Sequence, residues 1–306
     1  MSVEAAKPSS WKSRLRTDSL LDLWDYAGAR PSKQTRSKVL RAAEVAARGG
    51  SGKPDSRTAV AAQAVETLHL ASLAHDDVVD AGEMRRGAAS LPAFFGAPLA
   101  AAAGAVFFGR ALNQIVCCGE EAVMLATETA MRMCEGQMRE LRALHDVGRS
   151  QVEYFEAIEG KTAGMFWLAA NLGGLLGGAD PKVMSALARY GESLGIAFQI
   201  IDDLLDLTGD PEDTGKSHGN DLQNGNYTLP VIYALEECPR LSELLREEAT
   251  IETVIGPIRD THAIGRAGAE AGRWIEKAKR AACLLPAARG LLEIADVELG
   301  ALDDAV

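Results

Sequence analysis

The chain has 306 residues, of which 47% are hydrophobic and 25% are charged, as in globular proteins large enough to bury a substantial core. Its formal net charge of -11 argues against a nucleic-acid partner, which would need a basic face, and the sequence has no polybasic stretch for anionic lipid. The five cysteines are scattered and odd in number, which argues against a disulfide framework, so we predict a cytoplasmic protein with its cysteines in the core.

Helical patterns follow an irregular start. Residues 1–16 mix Lys, Arg, Ser and Pro without periodicity and are expected to form a loose lead-in. The stretch from Thr58 to Asp80 has no Gly or Pro and is rich in Ala and Leu, which predicts a helix. Similar stretches bounded by Gly, Pro or Asp run over residues 121–144, 152–172 and 181–207.

Strand patterns are absent from the sequence, and the breaks between helical stretches, at 49–53, 173–181 and 209–225, have the length of loops. We therefore predict one all-α domain over residues 17–306. No apolar run reaches the length of about 18 residues that a membrane span needs, so we expect no stable membrane insertion.

One motif, Asp-Asp-x-x-Asp, occurs twice, as Asp76, Asp77 and Asp80 in HDDVVD and as Asp202, Asp203 and Asp206 in IDDLLD. Residues four apart lie on one face of a helix, so the outer carboxylates are neighbours, with the middle one about 100° away. We expect three carboxylates to converge at each helix end, where their repulsion calls for a hard cation such as Mg²⁺. A solvated acidic helix end is the alternative for one triplet; two copies among Leu, Ile and Val favour a metal site.

Basic residues accompany both triplets. Arg85 and Arg86 follow the first triplet, Lys161 and Thr162 lie in EGKTAGMFW, and Lys216 lies in the loop after the second triplet. Each one alone is typical of a surface residue or an ion-pair partner. Together they offer the positive charge that a diphosphate needs, and they would stabilise a departing pyrophosphate.

These motifs resemble those of the trans-isoprenyl diphosphate synthases, also called polyprenyl synthetases. HLASLAHDDVVDAGEMRRG is similar to the family's first aspartate-rich region, and FQIIDDLLDLTGDPEDTGKSHGNDLQNGNYTLP to the second with its downstream loop. The resemblance implies an isoprenoid synthase fold, with antiparallel helices around a deep central cavity, usually as a homodimer with three Mg²⁺ ions. The implied activity is that of a chain-elongating prenyltransferase, which joins isopentenyl diphosphate to an allylic diphosphate.

The resemblance also assigns roles to individual residues. The implied metal ligands are Asp76, Asp77, Asp80, Asp202, Asp203 and Asp206, of which all but Asp206 are also catalytic candidates together with Lys161. The groups implied for the allylic diphosphate are Arg85, Lys161, Thr162, Gln199 and Lys216. Those implied for isopentenyl diphosphate are Lys33, Arg36, His69 and Arg86.

Several positions depart from the family pattern. PSKQTRS stands where the family has GGKRxRP, so Lys33 and Arg36 remain while the glycines, the middle Arg and the Pro are changed. Asn226 replaces a Lys that contacts diphosphate, Ala105 replaces a frequent Asp, and VELGALDDAV lacks the usual basic tail. Each of the last three changes removes charge near phosphate, which leaves open weaker catalysis, an unusual substrate pair or a drift toward cyclisation. His69 lies two turns before the first triplet on the same helix face, which favours substrate contact over a core role.

Product length is expected to depend on side chains near the first triplet. Ala71 and Ser72 are small at positions where family members that stop early carry an aromatic floor. Phe107 and Phe108 on the next helix either close the space more deeply or are plain core residues. We therefore expect a product of geranylgeranyl length or longer.

Two other functions fit parts of the pattern. A class I terpene cyclase on the same fold would act on one allylic diphosphate, but it has no need of a second diphosphate pocket, whose candidate residues are retained here. A non-catalytic partner subunit would be free to lose its aspartate triplets, whereas both are complete in this chain.

Overall fold

The computed structural model describes residues 26–28, 33–80, 82–85, 87–209, 219–247 and 249–306. Nearly all of their regular structure is helical, which confirms the predicted all-α class. The helices are α1 (Thr35–Ala47), α2 (Thr58–Val79), α3 (Leu91–Phe95), α4 (Ala97–Ile115), α5 (Glu120–Arg142), α6 (Gln151–Ile158), α7 (Gly164–Leu176), α8 (Pro181–Thr208), α9 (Asn220–Gln223), α10 (Leu229–Glu237), α11 (Pro239–Arg246), α12 (Ile251–Arg259), α13 (Ala263–Ala282) and α14 (Arg289–Ala305). Arg86, Lys216 and the expected lead-in over 1–16 lie outside the described residues.

The two helices that carry the aspartate triplets have nearly the predicted bounds. α8 begins where the Asp180 carboxylate accepts the N–H groups of Lys182 and Val183, with Pro181 at the first helical position. α2 ends one residue before its predicted end, at Val79. The triplets therefore lie at helix C-termini, as predicted.

Three local features differ from the sequence predictions. A short antiparallel hairpin, β1 (Met84–Arg85) with β2 (Ala88–Ala89), follows α2, although no strand was predicted. A π-helical turn over Glu159–Ala163 separates α6 from α7, where one continuous helix was expected. Finally, α7 continues to Leu176, through residues predicted as a loop. Hairpins of two-residue strands and π turns leave no periodic signal in a sequence.

The chain divides into two compact units. One comprises Met1–Lys33 and Thr67–Arg110, and the other comprises Gln34–Glu66 and Ala111–Val306. The first triplet belongs to the first unit and the second triplet to the second. One domain over residues 17–306 stays a prediction.

Helices of the larger unit approach each other closely at glycines. A Cβ atom at Gly173 in α7 would overlap the carbonyl oxygen of Leu40 in α1. A Cβ atom at Gly191 in α8 would likewise overlap the carbonyl oxygen of Phe166 in α7. Gly173 therefore serves backbone-to-backbone packing inside a helix, which explains why the loop prediction at this residue was wrong.

The smaller unit has its own apolar core. Its buried residues are Ala27, Ala71, Ala74, Leu91, Ala100, Ala103 and Phe107. The segment Ala97–Cys118, which contains α4, has a mean hydropathy of 1.4 and is long and apolar enough to cross a membrane. The expectation that no run of this kind exists is therefore wrong among the described residues, although one such helix is weak evidence for a membrane span.

All five cysteines are free thiols, as expected without a disulfide framework. Cys118 is buried and Cys238 is half-buried. The expectation of core positions is wrong for the other three, which face solvent at Cys117, Cys134 and Cys283.

Gly173→Ala should lower the free energy of unfolding by about 1–3 kcal/mol, because its methyl group has to displace the backbone of α1. Gly265→Ala is the matched control, since this exposed position in α13 has open space and alanine there should add up to about 1 kcal/mol. Urea unfolding of both variants measures the difference. Equal stability of Gly173→Ala and the parent protein would show that α1 and α7 do not depend on this close approach.

Candidate active site

The second aspartate triplet presents its carboxylates in different directions. Asp203 is 2% exposed and points into the protein, whereas Asp202 is exposed to solvent and Asp206 is half-buried. This divergence follows from the helical turn of about 100° between successive residues. The triplet therefore combines an inward carboxylate with an outward one at the end of a long, well-capped helix.

Asp203 has a hydrogen-bond donor at each carboxylate oxygen. The hydroxyl of Tyr154 in α6 donates to Oδ2 at 2.6 Å, and Nε2 of Gln199 donates to Oδ1 at 2.8 Å. Thr162 in turn donates its hydroxyl to Oε1 of Gln199 at 2.6 Å. This line from Thr162 through Gln199 fixes the orientation of the buried carboxyl group.

Burial has the largest effect on the pKa of Asp203. It raises the pKa of Asp203 to about 7, although the bonds from Tyr154 and Gln199 act in the opposite direction. Burial, followed by the charge of Asp203, also raises the pKa of the Tyr154 hydroxyl well above its usual range. A positive charge that comes near this carboxyl group would favour its charged form.

Asp206 binds the backbone of residues 219–221. Its carboxylate accepts the backbone N–H groups of Asn220 at 3.2 Å and Asp221 at 3.1 Å, and its carbonyl accepts that of Gly219 at 2.8 Å. Burial raises the pKa of Asp221, and the charges of Asp203 and Asp206 raise it further. Asp221 thus adds a carboxyl group to this cluster, which the sequence motif alone did not indicate.

The π turn positions Lys161 and Thr162. Gly136 of α5 and Gly160 of the turn let the two backbones meet, since a Cβ atom at Gly136 would overlap the N–H group of Lys161. The ammonium group of Lys161 then pairs with the carboxylate of Glu140 at 2.5 Å. Glu140 was not predicted, because a single Glu in an amphipathic helix is typical of a solvated face.

The first triplet, in the smaller unit, also divides its carboxylates. Asp77 is 3% exposed and pairs with Arg85, whose Nε donates to Oδ1 at 2.5 Å. Asp76 is half-buried, and Asp80 is exposed just beyond the end of α2. A small pocket adjoins the ion pair; it is lined by Ala27, Leu70, Leu73, Ala74, Asp77, Arg85 and Leu91.

Neither triplet is a preformed metal cage. Among the described residues, no three His, Cys, Asp or Glu side chains lie close enough together to hold a metal ion. The expectation that three carboxylates converge at each helix end is therefore wrong. Asp203 turns toward Tyr154, Asp206 binds backbone N–H groups and Asp77 binds Arg85, so each inward carboxylate already has a protein partner.

The candidate residues for isopentenyl diphosphate have different surroundings. Lys33 is exposed and His69 is half-buried, both in the smaller unit. Arg36 in the larger unit is 9% exposed, with its guanidinium carbon 4.9 Å from the ring centre of Phe166 and 5.7 Å from that of Phe198. Stacking on these rings holds the planar cation in place and keeps its charge.

The candidate chain-length residues belong to the smaller unit. Ala71 and Phe107 share its buried core, and Phe108 packs against that core while partly exposed. Ser72 is half-buried, and its hydroxyl donates to the carbonyl of His69 one turn earlier in the same helix. Ser72 is thus the small residue of this set whose replacement disturbs the core least.

Asp203 should make the metal-free protein less stable as the pH rises from about 4 to about 7. Its pKa is higher in the folded chain than in the unfolded chain, so the folded state binds the extra proton in this range and loses that advantage as the pH increases. The slope from one such group is at most about 1.4 kcal/mol per pH unit. Asp203→Asn should flatten it, as measured by urea unfolding in chelator, while Asp303→Asn at an exposed site should not. An unchanged slope in Asp203→Asn would contradict the buried placement.

Comparisons with known proteins show the family to which the chain belongs. Residues 17–257 match the polyprenyl synthetase family. The nonaprenyl diphosphate synthase of Mycobacterium tuberculosis is 34% identical over 243 residues, which cover 76% of this chain and 72% of that protein. Component 2 of the heptaprenyl diphosphate synthase of Geobacillus stearothermophilus is 34% identical over 79% of this chain and 78% of its own length.

The fold has the same relatives. A crystal structure of polyprenyl synthase from Caulobacter crescentus, complexed with calcium and isoprenyl diphosphate, superposes with a TM-score of 0.85 at 30% identity, covering 94% of this chain and 92% of that one. Both the family match and the fold extend over most of the sequence. The chain belongs to the polyprenyl synthetase family.

Proposed function

We propose that this chain is a chain-elongating prenyltransferase that condenses isopentenyl diphosphate with an allylic diphosphate and releases pyrophosphate. The observation that carries the proposal is the hydrogen-bonded line from Thr162 through Gln199 to Asp203, which fixes a carboxyl group of the second triplet. Relatives are named nonaprenyl, octaprenyl and geranylgeranyl diphosphate synthases, which supports the same reaction class.

The proposed reaction has three parts. The bond between the allylic carbon and the diphosphate oxygen breaks, leaving an allylic cation and pyrophosphate. The double bond of isopentenyl diphosphate attacks this cation to form a carbon–carbon bond, and a proton then passes from the neighbouring carbon to the released pyrophosphate. Protein groups contribute chiefly by holding charge and geometry in place and by excluding water from the cation.

Lys161, Thr162 and Gln199 are proposed to hold the allylic diphosphate in the larger unit, with Lys216 outside the described residues. Lys161 already lies in a carboxylate pair with Glu140, so its ammonium group would exchange that partner for a phosphate oxygen. In the smaller unit, Arg85 is proposed for the same substrate and would exchange Asp77 in the same way.

Mg²⁺ is the proposed cofactor, with three ions by resemblance to the family. Carboxylate oxygens are the donors that this ion prefers, and it commonly takes one or two from the protein and the rest from water and phosphate, so divergent triplets fit it. Its proposed ligands are Asp76, Asp77, Asp80, Asp202, Asp203 and Asp206. Bound Mg²⁺ would neutralise the diphosphate and make it a better leaving group.

The residues proposed to bind isopentenyl diphosphate are Lys33, Arg36, His69 and Arg86. The guanidinium group of Arg36 supports this, because the rings of Phe166 and Phe198 hold a permanent positive charge in a fixed place. The altered glycines and arginine around Lys33 lie partly outside the described residues, and their effect on this substrate stays a prediction.

A homodimer is proposed from the surface of α5. Met124, Met131 and Met138 recur every seven residues and form a stripe on one helix face, with 63%, 62% and 49% of their surfaces exposed. Large apolar side chains in an exposed row mark a protein–protein contact. A second copy of this chain is the proposed occupant, and no nucleic-acid partner is proposed.

The cytoplasm is the proposed location. The net charge of -11 and the free cysteines support it, and so does the absence of a polybasic stretch from the sequence. The apolar segment Ala97–Cys118 has one third of its most apolar window buried inside the protein.

The function is tested by incubating the protein and Mg²⁺ with geranyl, farnesyl or geranylgeranyl diphosphate, with and without isopentenyl diphosphate, and analysing products by mass. We expect longer linear diphosphates only when isopentenyl diphosphate is present. Asp202→Asn should lower their formation at least about 100-fold, because Asp202 is an exposed ligand at the second triplet, while Asp303→Asn should leave it unchanged. Hydrocarbons or alcohols from the allylic substrate alone would instead indicate a cyclase, and no product at all would indicate a non-catalytic subunit.

Ser72→Phe should shorten the longest product by at least one five-carbon unit. A phenyl ring at this half-buried position would close the space that the small hydroxyl leaves open. Ser72→Ala is the control, since it removes only the hydrogen bond to the carbonyl of His69 and should keep the product length. Mass analysis compares the variants, and an unchanged length in folded Ser72→Phe would place the limiting wall elsewhere.

Met131→Glu should separate the proposed dimer into monomers at micromolar concentration, because the charge would be buried in the middle of the apolar stripe. Val297→Glu provides the control at an equally exposed residue of α14 outside the stripe. Light scattering during size-exclusion chromatography gives the mass of each variant. A parent protein that is monomeric, or a Met131→Glu variant that remains dimeric, would rule out this stripe as the contact.

A further inference from the structure

A buried arginine adjoins the second triplet. Arg149, which lies in the connection between α5 and α6, is 4% exposed. Its Nη1 donates to Oδ1 of Asn226 at 2.8 Å and to the carbonyl of Tyr227 at 2.9 Å. Its Nε is buried without a hydrogen-bond partner among the described residues. An arginine buried in this way keeps its full positive charge. Its Nε–H donor is not used by the described residues.

Arg149 joins the two sides of the second triplet. On one side, its guanidinium carbon lies 5.6 Å from the ring centre of Tyr154, the residue that donates to Asp203. On the other side, it holds Asn226 and Tyr227, which follow Asp221 in the chain. Loss of this arginine would therefore affect both the partner of Asp203 and the segment that carries Asp221.

The connection between α5 and α6 contacts residues 225–227 at a second place. The backbone N–H of His145 donates to the carbonyl of Gly225 at 2.7 Å, and a Cβ atom at Gly225 would overlap the His145 ring. Two contacts four residues apart in the chain, at His145 and Arg149, thus fix residues 225–227. These contacts fix the position of the Arg149 charge relative to residues 225–227.

The charge balance gives Arg149 its role. Sequence comparison with the family motif leads to the expectation that Asn226 removes a positive charge near phosphate, but the structure puts the guanidinium group of Arg149 directly against the Asn226 side chain. Its guanidinium group also lies against the ring of Tyr154, whose hydroxyl donates to Asp203, so one positive charge contacts both the 225–227 segment and the partner of the buried carboxyl group.

We propose that Arg149 is a positioning residue for the diphosphate end of the second triplet and supplies the positive charge that residue 226 lacks. It acts through Tyr154 and through the 225–227 segment, and its field favours an anionic diphosphate at this end of the site. The proposal rests on the proposed function. Either of the two positions can carry this charge. Arg149 carries it in this chain, and a lysine at position 226 would carry it in its place.

The test is calorimetric binding of inorganic pyrophosphate to the full chain at saturating Mg²⁺, which requires no turnover. Arg149→Met should weaken binding about tenfold, the effect of one charge-assisted interaction. Arg149→Lys keeps the charge and should stay within about threefold of the parent protein. The double variant Arg149→Met with Asn226→Lys should recover the same affinity, because the new ammonium group lies where the guanidinium group was.

Two controls separate charge from folding. Arg139→Met removes an exposed arginine paired with Glu156 and should not change pyrophosphate binding. Asn226→Lys alone sets two cations against each other and should lower the melting temperature, which circular dichroism measures. If Arg149→Met does not fold, the comparison of Arg149→Lys with the parent protein decides the question.

Binding by Arg149→Met equal to that of the parent protein, or weakening in Arg149→Lys beyond tenfold, would overturn the proposal. Failure of the rescue by Asn226→Lys in a folded double variant would also overturn it. If the parent protein binds pyrophosphate but elongates no chain, the proposed function fails while the assignment of Arg149 stands.

Discussion

The carboxyl group of Asp203 lies almost entirely out of water, and the organisation of the larger unit around the site follows from that burial. A buried carboxylate is costly unless hydrogen bonds and positive charge surround it. Tyr154 and Gln199 provide the hydrogen bonds, which requires α6 and α8 to lie side by side. Arg149 lies beyond Tyr154 and gives this region a positive charge of its own.

Glycine packing makes that arrangement possible. Gly195 of α8 faces Ala163, and Gly136 of α5 faces the backbone around Lys161, so the π turn is held between two helices without intervening side chains. A π turn places Lys161 and Thr162 differently from a regular helix, and Thr162 thereby reaches Gln199. Close backbone packing at these glycines therefore decides which polar groups meet at the second triplet.

Much of the helical framework, and the motifs that carry the chemistry, were predictable from the sequence. The bounds of α2 and α8 follow from composition and from the Asp180 cap, and the two triplets are local patterns that a reader finds without a structure. Tyr154 and Arg149 were not predictable, because their partners lie 49 and 77 residues away in the chain. A buried tyrosine in an apolar helix has the same sequence pattern whether its hydroxyl meets a carboxylate or a carbonyl group. The divergence of the carboxylates was also missed. Helical spacing specifies the direction in which each side chain leaves the helix, but not the donor with which its carboxylate forms a hydrogen bond or ion pair.

In the proposed reaction, the second triplet belongs to a site that transfers an allylic group to isopentenyl diphosphate. The most direct measurement is the ratio of pyrophosphate released to isopentenyl diphosphate consumed, with an allylic diphosphate and Mg²⁺ in excess. The proposed reaction gives one pyrophosphate for each isopentenyl unit incorporated, and we expect no release when isopentenyl diphosphate is omitted. Release of pyrophosphate from the allylic substrate alone, at a rate unaffected by isopentenyl diphosphate, would contradict it.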